Sequence, residues 1–341
     1  MIKLFNPYIN ENIAKSVIDT LFSDCLTQGP KVKEFEKEFS KLFNVKYPIS
    51  LNSGTSALET AYDLIGLKEG DEVITTPFTC LATNIPLLAR KVKIVWADIL
   101  KDTLCIDPDD VWKKMTIKTK AIIQVHLGGI GANLQSKTRQ DLTGSYIDYG
   151  IPFGIPVISD ACQSLGIFTG DYTACSFQSI KHITTGDGGM LIVNNEEEYK
   201  KAKLMRWFGI DRERSIDNKW TAYKTRMMSF DVEILGYKRH MNDIAASMGL
   251  AGLKEYHKIL EHRKSLFEIY KNEFSKIDGI KLIDGKVNTY WLVTVLVERR
   301  DDLQAFLRNC GIFTRILYPV LTSQKCNSLE YFNREFINVS V

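Results

Sequence analysis

A lysine with small neighbours is the first candidate for chemistry. Lys181 lies in Cys175-Ser176-Phe177-Gln178-Ser179-Ile180-Lys181-His182-Ile183-Thr184-Thr185-Gly186-Asp187-Gly188-Gly189, a hydroxyl- and glycine-rich stretch between two strand-like runs, where the backbone turns tightly enough to surround a ligand. Most lysines are solvated charges, but a lysine amine also forms a Schiff base with an aldehyde. The second candidate is Asp160, which ends the apolar run Val157-Ile158-Ser159-Asp160 and is followed by Gln163. Ligands of open α/β sheets bind beyond the carboxyl ends of strands, and a buried carboxylate needs a donor or a cation; capping of the next helix is the alternative. The third is Asn52-Ser53-Gly54-Thr55-Ser56-Ala57-Leu58, where a strand hands over to a helix. Free N–H groups and hydroxyls there suit a phosphate, and equally suit a plain Ser/Thr cap. Pyridoxal phosphate would use all three segments: a phosphate cradle, a carboxylate for the ring nitrogen and an amine for the aldehyde.

Such residues need a strand–helix alternation to position them. Val32, Phe35, Phe39 and Leu42 recur at helical spacing after Gly29-Pro30, and a strand is expected over 47–51. A helix over 55–67 closed by Gly66 and Gly70, a strand over 72–76, an apolar stretch over 81–89 and a strand over 92–96 follow. Strand-like runs at 121–125, 156–159, 173–177 and 190–193 continue the series. The fold class is therefore α/β with a mostly parallel sheet. A long helix over 242–274, with Leu250, Leu253, Tyr256 and Leu260 on one stripe, leads to a compact α+β region. That region is expected to hold strands at 280–283, 291–297 and 312–316 and a helix at 301–309.

Composition narrows the class. The chain has 341 residues and 45% hydrophobic content, enough for a large core plus a second domain, which excludes a disordered chain. Its 44 Lys and Arg nearly balance 41 Asp and Glu, so no basic footprint for nucleic acid or an anionic membrane stands out and a small-molecule partner is expected. Lys3, Asn6 and Pro7 interrupt the start where a signal peptide would be apolar, and no run reaches membrane-spanning length, which points to a soluble, cytoplasmic enzyme. The seven cysteines are odd in number and lack a Cys-x-x-Cys pair, so reduced thiols are expected rather than a disulfide framework or a zinc site.

Taken together and in order, Thr27-Gln28-Gly29-Pro30, Asn52 to Leu58, Asp160 to Gln163, Ser176 to Gly189 and Gly236 to Asn242 resemble the DegT/DnrJ/EryC1/StrS family of pyridoxal-phosphate-dependent nucleotide-sugar aminotransferases. This family has the fold type I architecture, which implies a large domain over 1–240 with a mostly parallel mixed sheet and a smaller α+β domain over 241–341. The resemblance implies that Lys181 forms the Schiff base and later moves the proton, that Asp160 pairs with the ring nitrogen and that Gln163 contacts the phenolic oxygen. It further implies that Gly54, Thr55 and Ser176 hold the phosphate, and that Asn242 reaches the cofactor phosphate of a neighbouring subunit, in a homodimer. Glutamate is the implied donor, and a nucleotide-linked ketosugar aminated at C3 or C4 the implied acceptor.

Within the family a dehydratase branch carries histidine at the lysine position; here His182 is one place later, which disfavours that reading. A pyridoxal-phosphate-binding regulator without turnover is the other alternative. Two departures stand out. Cys80 falls where many relatives place an aromatic over the ring, with Phe78 as a substitute, and the chain stops at Val341 after Tyr331 to Phe336, so the small domain is expected to be abbreviated. His126 is either near the active site or structural. Arg206, Arg212, Arg214 and Lys219 form a basic patch for a nucleotide diphosphate or a solvated loop, and Arg315 is likewise open.

Overall fold

The computed structural model describes residues 1–134, 138–140, 146–148, 154–211, 232 and 234–323. Arg212, Arg214, Lys219, Cys326 and Tyr331 to Phe336 lie outside the described residues. The chain begins α1 (Glu11–Leu21), α2 (Pro30–Phe43), β1 (Tyr47–Leu51), α3 (Gly54–Ile65), β2 (Glu72–Thr75), α4 (Leu81–Ala89), β3 (Lys93–Trp96), α5 (Pro108–Lys114) and β4 (Thr119–Val125). A short antiparallel pair follows, β5 (Thr138–Gln140) with β6 (Tyr146–Asp148). Then come β7 (Val157–Asp160), β8 (Tyr172–Ser176), β9 (Gly189–Val193), α6 (Glu196–Met205), α7 (Asp243–Phe274), β10 (Ile280–Leu282), β11 (Val295–Val297) and α8 (Arg300–Asn309). The main sheet has seven strands in the order β1-β9-β8-β7-β4-β2-β3, mixed and mostly parallel, as the α/β reading expected.

The chain divides into two compact units. The first comprises Met1–Asn6, Leu67–Asp171 and Leu260–Val341. In it β3, β2, β4 and β7 pair in parallel. Strands covered on both faces read as continuous apolar runs, and Ala121, Ile122, Ile123 and Val125 are all buried. The parallel register sets Val125 beside Asp160, so β7 brings its carboxylate to the carboxyl end of the strand pair. Ile74, Phe78, Ile122, Val125, Leu127 and Ile283 belong to one hydrophobic cluster beneath it.

The second unit comprises Pro7–Gly66 and Tyr172–Ile259. Here β9 lies between β1 and β8, antiparallel to both, and every residue of β9 is buried. The expected stripe of α2 packs inward, with Phe35 and Phe39 edge-on to Phe177 at 5.4 and 6.1 Å between ring centres. The helix starts at Pro30, and the buried Asp243 carboxylate accepts from the N–H groups of Gly29 (2.8 Å), Lys31 (3.1 Å) and Val32 (3.1 Å). A Cβ on Gly29 would stand 2.7 Å from Asp243 Oδ2, so glycine is what lets that carboxylate close over the helix end. The Thr27 to Pro30 motif is thus a clasp between α2 and the start of α7.

Two expected strands differ. The run 312–316 forms only an isolated bridge between Ile312 and Ile2, and Phe313 and Ile316 point to solvent; an apolar alternation with no further strand beside it does not become sheet. The run 291–297 is reduced to β11, because Trp291 leaves the strand to stack on Phe5 at 6.2 Å, next to Tyr290 with its positive φ of 55°. Among the described residues, no helix is long and apolar enough to cross a membrane.

Candidate functional site

In the second unit a glycine brings a helix end to a strand end. Ser176 closes β8 opposite Gly189 of β9, and a Cβ on Gly189 would fall 2.2 Å from Ser53 O and 2.7 Å from Gly54 N. Only glycine lets the N-terminus of α3 lie this close to the strand. Ser53 Oγ accepts from Ser56 N–H at 3.0 Å, so the cap read from the sequence does form. It leaves the N–H groups of Gly54 and Thr55, at the first two helical positions, without an acceptor among the described residues. Ser176 Oγ accepts from Gln178 N–H at 3.3 Å, and its own hydrogen has no acceptor among the described residues. These donors, at the positive end of a 12-residue helix, suit a phosphate.

Lys181 stands in the irregular segment joining β8 to β9, half-buried, with its N–H bonded to Gln178 O at 2.9 Å. The neck of that segment is tied by Phe177 N–H to Gly188 O (2.8 Å) and Thr185 N–H to Phe177 O (2.9 Å). His182, one place on, is buried. Asn242 is exposed, and its Oδ1 accepts from Ala245 N–H at 2.8 Å, capping α7 and leaving its amide Nδ2 to other acceptors.

The first unit supplies Asp160 and Gln163. Asp160 is 3% exposed; its Oδ2 accepts from Thr83 Oγ1 at 2.6 Å and its Oδ1 from Cys162 N–H at 3.1 Å. Among the described residues no cation pairs with it, so a buried carboxylate is held by neutral donors alone, with room for one more donor that carries charge. Gln163 Oε1 accepts from Gly128 N–H at 2.9 Å, which makes Nε2 the donor end of the amide. Gly128 and Gly129 reach this geometry through positive φ angles of 66° and 106°.

His126 is structural. It is fully buried, and Ala132 N–H donates to its Nδ1 at 2.9 Å, so the proton sits on Nε2 and is given to Thr169 Oγ1 at 3.2 Å. Burial pushes its pKa down to about 4. Arg206 leaves the expected basic patch altogether: it is 1% exposed and pairs with Glu36 at 2.5 Å. Arg315 is exposed. Phe78 is buried in the hydrophobic cluster of the first unit and serves as core, while Cys80 is partly exposed at the start of α4.

Sequence reasoning missed two residues of this neighbourhood. Thr83 is one, recognisable afterwards only by its place four residues after Thr79 on the buried side of α4. Tyr318 is the other. It packs against the Phe78 cluster in a stretch anchored by Leu321 N–H to Pro77 O at 3.0 Å. Burial first, then the Cys80 thiol and the Asp160 carboxylate, raise its hydroxyl above the usual tyrosine range, which puts it within electrostatic reach of both. Nothing local marks a lone tyrosine so far along the chain.

The fold is that of an α/β protein, with a helix end suited to a phosphate in the second unit and a carboxylate bonded to neutral donors in the first. The model of the DegT/DnrJ/EryC1/StrS aminotransferase family matches residues 7–338, and the chain belongs to that family. It is 31% identical over 332 residues to UDP-4-amino-4,6-dideoxy-N-acetyl-beta-L-altrosamine transaminase of Campylobacter jejuni, covering 91% of this chain and 83% of that one. GDP-perosamine synthase of Vibrio cholerae is 28% identical over 339 residues, covering 94% and 86%. The PLP-form structure of a putative sugar aminotransferase, Spr1654 from Streptococcus pneumoniae, superposes with a TM-score of 0.82 at 27% identity, covering 96% of this chain and 87% of that one. The protein is accordingly a sugar aminotransferase by family, and its cofactor is pyridoxal phosphate.

Proposed function

We propose that this enzyme moves an amino group from glutamate to the C3 or C4 keto carbon of a nucleotide-linked deoxysugar, in the making of a surface polysaccharide or a glycosylated metabolite. The setting is a cytoplasmic homodimer in which Asn242 Nδ2 reaches the cofactor phosphate of the partner subunit. The observation that carries the reading is Asp160, a buried carboxylate bonded only to neutral donors, which suits a pyridinium N–H as its charged partner. The names of the C. jejuni and V. cholerae relatives support the choice of a nucleotide sugar.

When bound, pyridoxal phosphate supplies the electron sink that stabilises a carbanion beside the transferred nitrogen. The chain's residues do the rest. Lys181 Nζ would hold the cofactor at its aldehyde and would carry the proton at the substrate carbon. Asp160 would hold the ring nitrogen, Gln163 Nε2 would donate to the phenolic oxygen, and Gly54, Thr55 and Ser176 would hold the phosphate.

Purified protein is expected to be yellow, with visible absorption that vanishes on adding glutamate. Lys181→Ala is expected to lose the lysine-bound band. Incubation of the glutamate-treated enzyme with a panel of nucleotide ketosugars, read by mass spectrometry, then identifies the acceptor as the species that exchanges its keto oxygen for an amine. Colour that persists with glutamate overturns the transaminase in favour of a regulator, and a band retained in Lys181→Ala overturns the lysine assignment.

A further inference from the structure

We infer that Thr83 is a positioning residue of this enzyme, the middle member of a directed hydroxyl relay from Thr79 through Thr83 to Asp160. The inference rests on the reading that Asp160 receives the ring nitrogen of pyridoxal phosphate, and deepens it. Thr83 is fully buried, as are Thr79 and Asp160 to within 3% of exposure. Thr83 Oγ1 lies 2.6 Å from Asp160 Oδ2 and 3.0 Å from Thr79 Oγ1. Thr83 Oγ1 donates to Asp160 Oδ2, and a hydroxyl has a single hydrogen to give. The contact with Thr79 must then be made by the hydrogen of Thr79, and the relay has one direction.

The arrangement does what a cation there would not. A lysine or arginine beside Asp160 would compete with the cofactor ring for its charge, whereas a hydroxyl fixes orientation and leaves the charge unclaimed. Two donors, one on each oxygen, set the rotation of the carboxylate about its Cβ–Cγ bond: Cys162 N–H on Oδ1 and Thr83 on Oδ2. Without Thr83 the group is held at one oxygen alone. Thr79 in turn fixes the rotor of Thr83, and the spacing of four residues across the start of α4 places the two hydroxyls together. The free lone pairs of Asp160 are thereby aimed before any cofactor arrives.

Thr83→Val preserves shape and deletes the hydroxyl. In the apoprotein of this variant, uptake of pyridoxal phosphate followed by fluorescence quenching is expected to weaken roughly tenfold. The pH at which the visible band of the lysine-bound cofactor converts to its near-ultraviolet form is expected to move by roughly half a unit or more. Thr83→Ser is expected to restore both values, and Thr79→Val to shift both in the same direction by less. If Thr83→Val is not recovered folded, judged by its far-ultraviolet circular dichroism, Thr83→Ala is read in the same way. A hydroxyl-free variant with wild-type affinity and wild-type titration overturns the relay, as does a serine variant as defective as the valine one. A wild-type protein that takes up no pyridoxal phosphate overturns the functional reading itself, and the relay falls with it.

Discussion

Arg206 and Glu36, 170 residues apart in the chain, form a buried ion pair with Nη1 2.5 Å from Oε1. Glu36 also accepts from Ser50 N–H at 2.9 Å and Ser50 Oγ at 2.8 Å, so one carboxylate of α2 ties β1 and the end of α6 together inside the second unit. Removing one partner of such a pair strands the other charge in a low-dielectric interior. Arg206→Ala is therefore expected to destabilise by about 3–5 kcal/mol in urea denaturation. The double variant Glu36→Leu with Arg206→Met is expected to recover only part of that loss, since two apolar side chains leave no stranded charge but deprive Ser50 of the acceptor for its hydroxyl and N–H. A single variant as stable as the wild type would show that the pair carries no stability.

That pair also marks where sequence reasoning stops. A cation in a polar run reads as surface, and a contact across 170 positions leaves no local trace, so Arg206 was legible only as part of a basic patch. The elements that need only local information were readable: the period of Val32, Phe35 and Phe39 is that of α2, and the apolar runs ending at Leu51, Val125 and Val193 are β1, β4 and β9. The alternation at 312–316 misled because a strand needs a neighbour as well as a pattern, and Ile312 finds only a single bridge. Gly54 was readable by type as part of a segment suited to a phosphate, and Ser176 only through the family resemblance; that Gly189 brings the start of α3 to the strand end where Ser176 lies was not readable, because close approach is a property of three dimensions. His126 stayed open in the sequence, and burial together with the Ala132 N–H decides it.

Gly189→Ala tests that corner. The added Cβ would sit 2.2 Å from Ser53 O, a backbone atom that cannot swing aside, so the N-terminus of α3 must move off β9. A loss of about 1–3 kcal/mol is expected from overpacking, together with weaker uptake of pyridoxal phosphate, measured by denaturation and by titration of the apoprotein. Gly186→Ala is the control. Its Cβ meets nothing within 4 Å, and its φ of 81° adds only backbone strain of about 1 kcal/mol, so its stability should drop while cofactor uptake stays at the wild-type level. Equal uptake by the two variants would show that the close approach of α3 to β9 plays no part in cofactor binding.

His126 makes stability depend on pH in a direction its surroundings fix. Its ordinary pKa of 6.5 is brought down to about 4 in the folded chain by burial, so between those values the unfolded chain holds a proton that the folded one does not. Stability then rises with pH, because the unfolded state binds more protons; the contribution is complete above about pH 6.5 and is lost as the pH falls toward 4. Protonation would also turn Nδ1 into a donor facing the Ala132 N–H. Comparing pH 8 with pH 5, the histidine is expected to account for about 2 kcal/mol of lost stability in urea denaturation. His126→Gln keeps a polar group that can accept from Ala132 and carries no titration in this range. Its stability is expected to be lower than wild type at pH 8 but to fall less between pH 8 and pH 5; parallel pH profiles for the two proteins would show that the histidine is not the group responsible.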